Sequence, residues 1–312
     1  MVPLAFLALT CVLTYVLAAR LYGRTAGTFA VWLTALNANL LGHGSLVTPD
    51  IIFTAAGGYT AYMDGHQSQT GFFDYYIRGL LYKTPLLTLG LVLLAAFAGG
   101  RIRRREVPMV LVGAGIFAAF SLLRTKNIGI RYVLFLYPLM HVWIGRLLAD
   151  GCAVGRLVGR RTITAAVVLG IAAAISSELT IWPHHLAYFS TLAGGPSAGP
   201  THLLDSNVDW GQDLILLKRF MQEKGIETID LACFGRVDPV VYGIRYRTLD
   251  AASHGRWAAV SVNFIYGRSY FINGSQLWAD AGEYRRFQSV PPQSRLGYSL
   301  YVFDLGTDAA TR

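Results

Sequence analysis

The chain has 312 residues, 54% hydrophobic and only 14% charged, with a formal net charge of +9. Its apolar runs are too long for a water-soluble core, which excludes an ordinary soluble globular protein and predicts a membrane protein. Residues 1–181 carry 15 Lys or Arg against 6 Asp or Glu, whereas 182–312 carry 12 of each. The basic excess therefore belongs to the apolar part and reports membrane topology, not nucleic-acid binding.

Six apolar stretches are expected to span, near 2–19, 26–41, 85–99, 107–123, 131–148 and 163–181. The first is expected to be a retained helix, since no basic leader or small-residue cleavage site precedes Arg20. Three short basic loops separate some of the spans: Arg20 and Arg24; Arg101, Arg103, Arg104 and Arg105; Arg156, Arg160 and Arg161. By the positive-inside rule these loops are cytoplasmic, so the last span runs outward and everything after it is extracytoplasmic. Helix parity then requires that 51–63 not complete a crossing. Its length suits a re-entrant or interfacial piece. Cys11, Cys152 and Cys233 fall in three different compartments, so neither disulfides nor a zinc cluster is expected.

Residues 182–201, with the stretch PSAGPTH across their end, read as a linker. From 202 to 312 the pattern is that of a small α/β domain large enough for its own core. DWGQDLILLKRFMQEKG predicts a helix with Asp209 as N-cap, Gln212 as capping-box partner and Gly225 as the stop, burying Leu214, Leu217, Phe220 and Met221. TIDLACFG, WAAVSVNFIYG and YSLYVFDL predict strands, and a short helix is expected from Asp238 to Gly243.

Ionisable groups near a bilayer are costly, so each needs a reason. Asp50 follows Thr48 and Pro49, a good N-cap and first helical residue, which puts its carboxylate in the first turn of a short helix at the outer surface. One reading is dipole complementarity; the other is a base that binds or deprotonates a hydroxyl acceptor. His43, between Gly42 and Gly44, either joins it or is an interfacial polar group. Lys83, Arg124, Lys126 and Arg131 are cations on the outer side, against the topological bias. Headgroup anchoring accounts for Arg124 and Lys126. Lys83 and Arg131 are the candidates for holding a phosphate.

In LLDSNVDWGQDL, Asp205, Asn207 and Asp209 have the spacing of a calcium loop, but Trp210 and Leu216 stand where such a loop needs Gly and Glu. No metal site is assigned from it, and a divalent-metal requirement stays open. Asp213 completes the acidic motif. Asn273, Gly274 and Ser275 form a glycosylation sequon.

Taken in order, HGSLVTPD, GFFDYYIRGLLYKTPL, NIGIRYVLFLYP, WPHHLAYFSTLAGGP, LLDSNVDWGQDL and FGRVDPVVYGI resemble bacterial lipid-carrier-dependent membrane glycosyltransferases. These are relatives of the protein O-mannosyltransferase and aminoarabinose-transferase superfamily, with the GT-C fold. The resemblance covers about His43 to Gly243. It implies a polytopic α-helical protein of the bacterial inner membrane with a small C-terminal extracytoplasmic α/β domain. Its activity would move a sugar from a polyprenyl-phosphate donor to an outer protein, lipid or glycan acceptor, with no other cofactor. It implies that Asp50 matches an acidic residue of an outer loop and that Asp205, Asn207, Asp209, Trp210 and Asp213 open the outer domain. Members of that family are longer, with an earlier acidic outer loop and more helices after the Asp50 position. The alternative expectation is therefore a shortened, non-catalytic relative or accessory subunit, with a transporter ranked last.

Overall fold

A computed structural model describes residues 2–44, 60–98, 102–122, 127, 129–150, 152–250, 253, 255–280 and 282–306. Asp50, Arg124, Lys126 and most of the segment 51–63 lie outside the described residues. The chain forms two compact units. The first comprises Met1–Gly57, Phe72–Lys126 and Ile130–Gly195; the second comprises Gly58–Gly71, Asn127–Gly129 and Pro196–Arg312.

The first unit is helical: α1 (Val2–Tyr22), α2 (Arg24–Ala35), α3 (Ala38–Gly44), α4 (Tyr75–Lys83), α5 (Leu86–Ala98), α6 (Val107–Leu122), α7 (Leu136–Ile144), α8 (Ala153–Val158) and α9 (Arg160–Ile181). Among the described residues two helices are long and apolar enough to cross a membrane, Leu4–Tyr22 and Arg160–Ile181; α4 with α5 makes a third if that bent pair is one span. This supports a membrane protein. Four of the six expected spans, however, are not single crossing helices among the described residues: local chemistry breaks 26–41 and 131–148, while 85–99 and 107–123 are helices in the expected places, with 13 and 16 residues.

The run 26–41 breaks at Leu36–Asn37, where the Asn37 side chain accepts from Leu40 N at 3.1 Å and so starts α3 as a separate helix. The run 131–148 becomes a 3₁₀ turn (Ile130–Val133), the nine-residue α7 and a second 3₁₀ turn (Gly145–Leu148). Pro138 in the first turn of α7 has no N–H, so the helix cannot be extended upstream with unbroken hydrogen bonding. At Thr84–Pro85 the chain turns by 117° between α4 and α5, because a residue before proline is driven into the extended conformation that Thr84 adopts, ψ 134°. The fourth, α6, has 16 residues, about 24 Å of helix against a hydrocarbon core of about 30 Å.

Helix α1 exposes Leu4, Phe6, Leu9, Val12 and Leu13 and buries Ala18, Leu21 and Tyr22, the division expected of a helix facing lipid on one side. Its packing on α2 depends on small residues. A Cβ on Gly27 would stand 3.0 Å from Ala19 Cβ, and Ala26 and Ala30 are fully enclosed. Without a hydrophobic driving force between helices in lipid, such close approach supplies the dispersion contact that holds them. Within this core Arg146 and Glu106, both fully buried, form an ion pair at 3.5 Å, and the Arg146 guanidinium lies 4.8 Å from the Trp143 ring centre. Burial of each charge is offset by the other.

The second unit is α/β. It contains the hairpin β1 (Ala61–Met63) and β2 (His66–Ser68), then α10 (Gly199–His202), α11 (Leu214–Lys224), β3 (Ile229–Ala232), β4 (Tyr246–Thr248), β5 (Trp257–Ser261), α12 (Val262–Ile265), β6 (Tyr270–Phe271), β7 (Trp278–Ala279), β8 (Ser294–Leu296) and β9 (Leu300–Asp304). The main sheet has the order β4-β3-β5-β9-β8, with β3 parallel to β4 and β5 and the remaining pairs antiparallel. Helix α11 buries the expected stripe, Leu214, Leu217, Phe220 and Met221, in one core with Ile229, Leu231, Ala259 and Val302. It stops at Gly225, φ +63°. WAAVSVNFIYG is a strand only as far as Ser261, whose hydroxyl accepts from Asn263 N and starts α12. The short helix expected at Asp238–Gly243 is a 3₁₀ turn over Pro239–Tyr242, with Asp238 accepting from Val240 N at 3.0 Å.

The hairpin is the main departure from the sequence reading. Ala61–Met63, expected at the end of a re-entrant or interfacial piece, is instead β1 of the second unit. Its two-residue loop, Asp64–Gly65, has φ of +49° and +81°, as a primed turn requires. The Asp64 carboxylate lies 2.6 Å from His202 Nδ1, and the Gln67 amide donates to the Gly267 carbonyl.

Candidate functional site

In the first unit, three residues singled out in the sequence fall near one another. Helix α4 ends at Lys83, which is fully buried; its ammonium donates to the Leu186 carbonyl at 2.8 Å and stands 4.3 Å from the centre of the Phe189 ring. Both Lys83 and Arg131 exert their charge on the imidazole of His43 at the end of α3. The two ring nitrogens of His43 are shielded from solvent and have no hydrogen-bond partner among the described residues. Arg131 lies in the 3₁₀ turn before α7, its guanidinium 5.2 Å from the Tyr132 ring centre.

The segment 185–190 positions this cluster. A Cβ on Gly42 would approach Leu186 N to 2.8 Å, so only glycine lets α3 lie against that backbone. Ser190 N donates to the Tyr82 carbonyl at 2.6 Å and Ser190 Oγ to the Leu81 carbonyl at 3.1 Å, which ties the same segment to α4. On the other side of Lys83, Asn39 Nδ2 donates to its carbonyl at 2.5 Å and to Tyr137 Oη at 3.2 Å. Two cations and an imidazole held in this way can take an anionic group, since low polarity strengthens each charge–charge contact. Among these residues, Asn39, Tyr137 and the 185–190 backbone were not picked from the sequence. A buried Asn or Tyr carries no local signal beyond its polarity in an apolar run.

In the second unit, the acidic motif is brought together but shared out among separate partners. Asp205, in the left-handed region at φ +61°, accepts from Ser206 N through one oxygen and pairs with Arg268 at 2.9 Å through the other. Asn207 Nδ2 donates to the Leu204 carbonyl. Asp209 accepts from Gly211 N at 2.7 Å and from the Ser261 hydroxyl, and Asp213 accepts from Ser299 Oγ at 2.7 Å. The calcium-like spacing of Asp205, Asn207 and Asp209 therefore serves three different contacts.

The expected N-cap role of Asp209 is corrected. The N-cap position of α11 is Asp213, because Gly211, φ +77°, turns the chain between them. Gln212 closes that turn, accepting from Trp210 N at 2.7 Å and donating to the Val208 carbonyl at 3.0 Å. Burial raises the Asp209 carboxyl to about 7; the Ser261 and Gly211 hydrogen bonds oppose the shift, and the Asp213 charge adds to it. The sequon residue Asn273 is also taken up by the fold: it is 1% exposed, accepts from Cys233 N and donates to the Leu231 carbonyl, each at 2.8 Å.

Comparison of the chain with protein-family models, curated proteins and solved structures gives no match.

Proposed function

We propose that the protein is a multi-pass glycosyltransferase of the GT-C type in the bacterial inner membrane, moving a sugar from a polyprenyl-phosphate donor to an acceptor hydroxyl on the extracytoplasmic side. The observation that carries this reading is the fully buried Lys83 at the end of α4, held by the Leu186 carbonyl in the same helical unit as His43 and Arg131.

In this reaction the acceptor oxygen bonds to the anomeric carbon as the bond from that carbon to the phosphate oxygen breaks. Asp50 takes the hydroxyl proton, with His43 assisting. Polyprenyl phosphate leaves, its new charge balanced by Lys83 and Arg131. The test is transfer of radiolabelled sugar from a polyprenyl-phosphate donor by the purified protein, comparing wild type with Asp50→Asn and Lys83→Met. Equal rates in all three remove both residues from the reaction.

A second reading, an accessory or shortened relative without transfer activity, is favoured by the small number of full-length crossing helices among the described residues, two or three. It predicts no transfer by the wild type with any donor, together with loss of a partner enzyme's activity when this chain is deleted.

A further inference from the structure

The large hydrophobic side chains that the second unit exposes are concentrated in one place. Apart from Ile215, they are Val237, Val240, Val241, Tyr242, Leu277 and Trp278, at 43, 61, 77, 39, 62 and 56% exposure among the described residues. The first four belong to the loop and 3₁₀ turn after β3, the last two to the β6–β7 hairpin. Those two stretches meet. Phe234 pairs with Ile272, and a Cβ on Gly274 would come within 2.6 Å of the Val237–Asp238 backbone. Arg236 lies 4.1 Å from the centre of the Phe271 ring, which meets the Trp278 ring edge-on at 5.2 Å. The result is a single apolar surface on rigid supports, of the kind soluble monomers seldom leave open.

We propose that this surface docks on the lipid bilayer itself, with the Val241 and Leu277 side chains in the interfacial layer. Three observations select lipid as the occupant. The patch pairs aliphatic tips with Trp278 and Tyr242, the amphipathic rings that settle at a membrane interface. Its border carries Arg236, Arg245 and Lys218, and an open groove of about 1010 Å³ beside Val240 is lined by the latter two together with Glu227 and Ile244. Basic groups flanking an apolar tip suit anionic headgroups. Finally, α1 and α9 are long and apolar enough to anchor the same chain in a bilayer, which keeps lipid at high effective concentration near a tethered domain. The inference rests on that membrane reading but not on the transferase reaction.

The experiment uses the full chain, with Cys11, Cys152 and Cys233 replaced by alanine, in nanodiscs containing anionic lipid. An environment-sensitive fluorophore is attached at Val241→Cys, at Leu277→Cys, at Glu223→Cys on the exposed side of α11, and at Leu9→Cys in α1. Lipids spin-labelled near the headgroup quench those labels that touch the interface, and lipids spin-labelled along the acyl chain quench Leu9→Cys inside the α1 span. The proposal expects Val241→Cys and Leu277→Cys to lose most of their emission while Glu223→Cys keeps it. It is overturned if those two labels keep their emission while Leu9→Cys is quenched, or if Val241→Cys instead forms disulfide-linked dimers, which would make a second copy the occupant. Should Leu9→Cys also escape quenching, the membrane reading fails and the docking fails with it.

Discussion

The ammonium of Lys83 donates to the carbonyl of Leu186 at 2.8 Å, joining the end of α4 to a segment more than a hundred residues further along the chain. The same ammonium stands 4.3 Å from the centre of the Phe189 ring, so two residues of that segment meet one side chain.

Lys83→Met keeps the volume and removes the charge. It also leaves the Leu186 carbonyl without that donor, an expected loss of about 1 kcal/mol. The variant is expected to keep its thermal midpoint within a few degrees and to lose about 100-fold or more in transfer rate, the scale for removing one electrostatic stabiliser of a transition state. Calorimetry beside the radiolabel assay separates the two effects.

The Asp209 carboxyl should make stability pH-dependent. Its folded value of about 7 lies above the ordinary carboxylate value of 3.8, so between these limits the folded state holds a proton that the unfolded chain has released. The favourable contribution is complete below about pH 4 and is lost as pH rises through 7. Asp209→Asn, which stays uncharged, is expected to flatten the fall in the second unit's stability between pH 4 and 7. Hydrogen exchange of β5 amides across that range is the measurement.

Arg268 and Asp205 form a buried pair, 4% and 6% exposed, and Arg268 also donates to the Thr60 carbonyl ahead of the β1–β2 hairpin. Arg268→Met leaves the Asp205 carboxylate without its cation and is expected to cost about 3–5 kcal/mol. The double variant Arg268→Met with Asp205→Asn should recover part of that loss, and a double-mutant cycle in urea reads the coupling directly.

Asn273 bridges the end of β3, Leu231 and Cys233, to the β6–β7 hairpin. Asn273→Ala leaves the buried Cys233 N–H unsatisfied, while the Leu231 carbonyl keeps its bond from Leu249 N, so the expected loss is about 1–3 kcal/mol. Faster proteolysis within 270–279 is the outcome to look for. Unchanged cleavage would mean that the ring contacts and the backbone bonds from this hairpin to Cys233 and Phe234 hold it without the Asn273 side chain.

Where the sequence reading held, the deciding forces were local. The stripe of α11, its stop at Gly225, the strands β3 and β9 and the turn capped by Asp238 follow from periodicity and capping, which act within a few residues. The count of spans did not follow, because hydropathy does not register a single side-chain contact. Asn37 gives Leu40 an alternative hydrogen bond and splits a run that averages as apolar. The Asp64–Gly65 hairpin carried a legible turn signal, but it stood beside apolar residues whose composition pointed to the membrane.

By itself, the amino-acid sequence determined that the chain has an apolar, basic part and a charge-balanced α/β part, since composition and short-range periodicity are sums over neighbouring residues. Only the tertiary structure decided which polar groups meet. Asp209 finds Ser261 and Asp213 finds Ser299, partners 52 and 86 residues away, and Lys83, Arg131 and His43 come from three separate helical segments. Burial selects such pairs because an unmet polar group in the interior costs more than ordering the chain that supplies its partner, and no local pattern encodes which distant segment that will be.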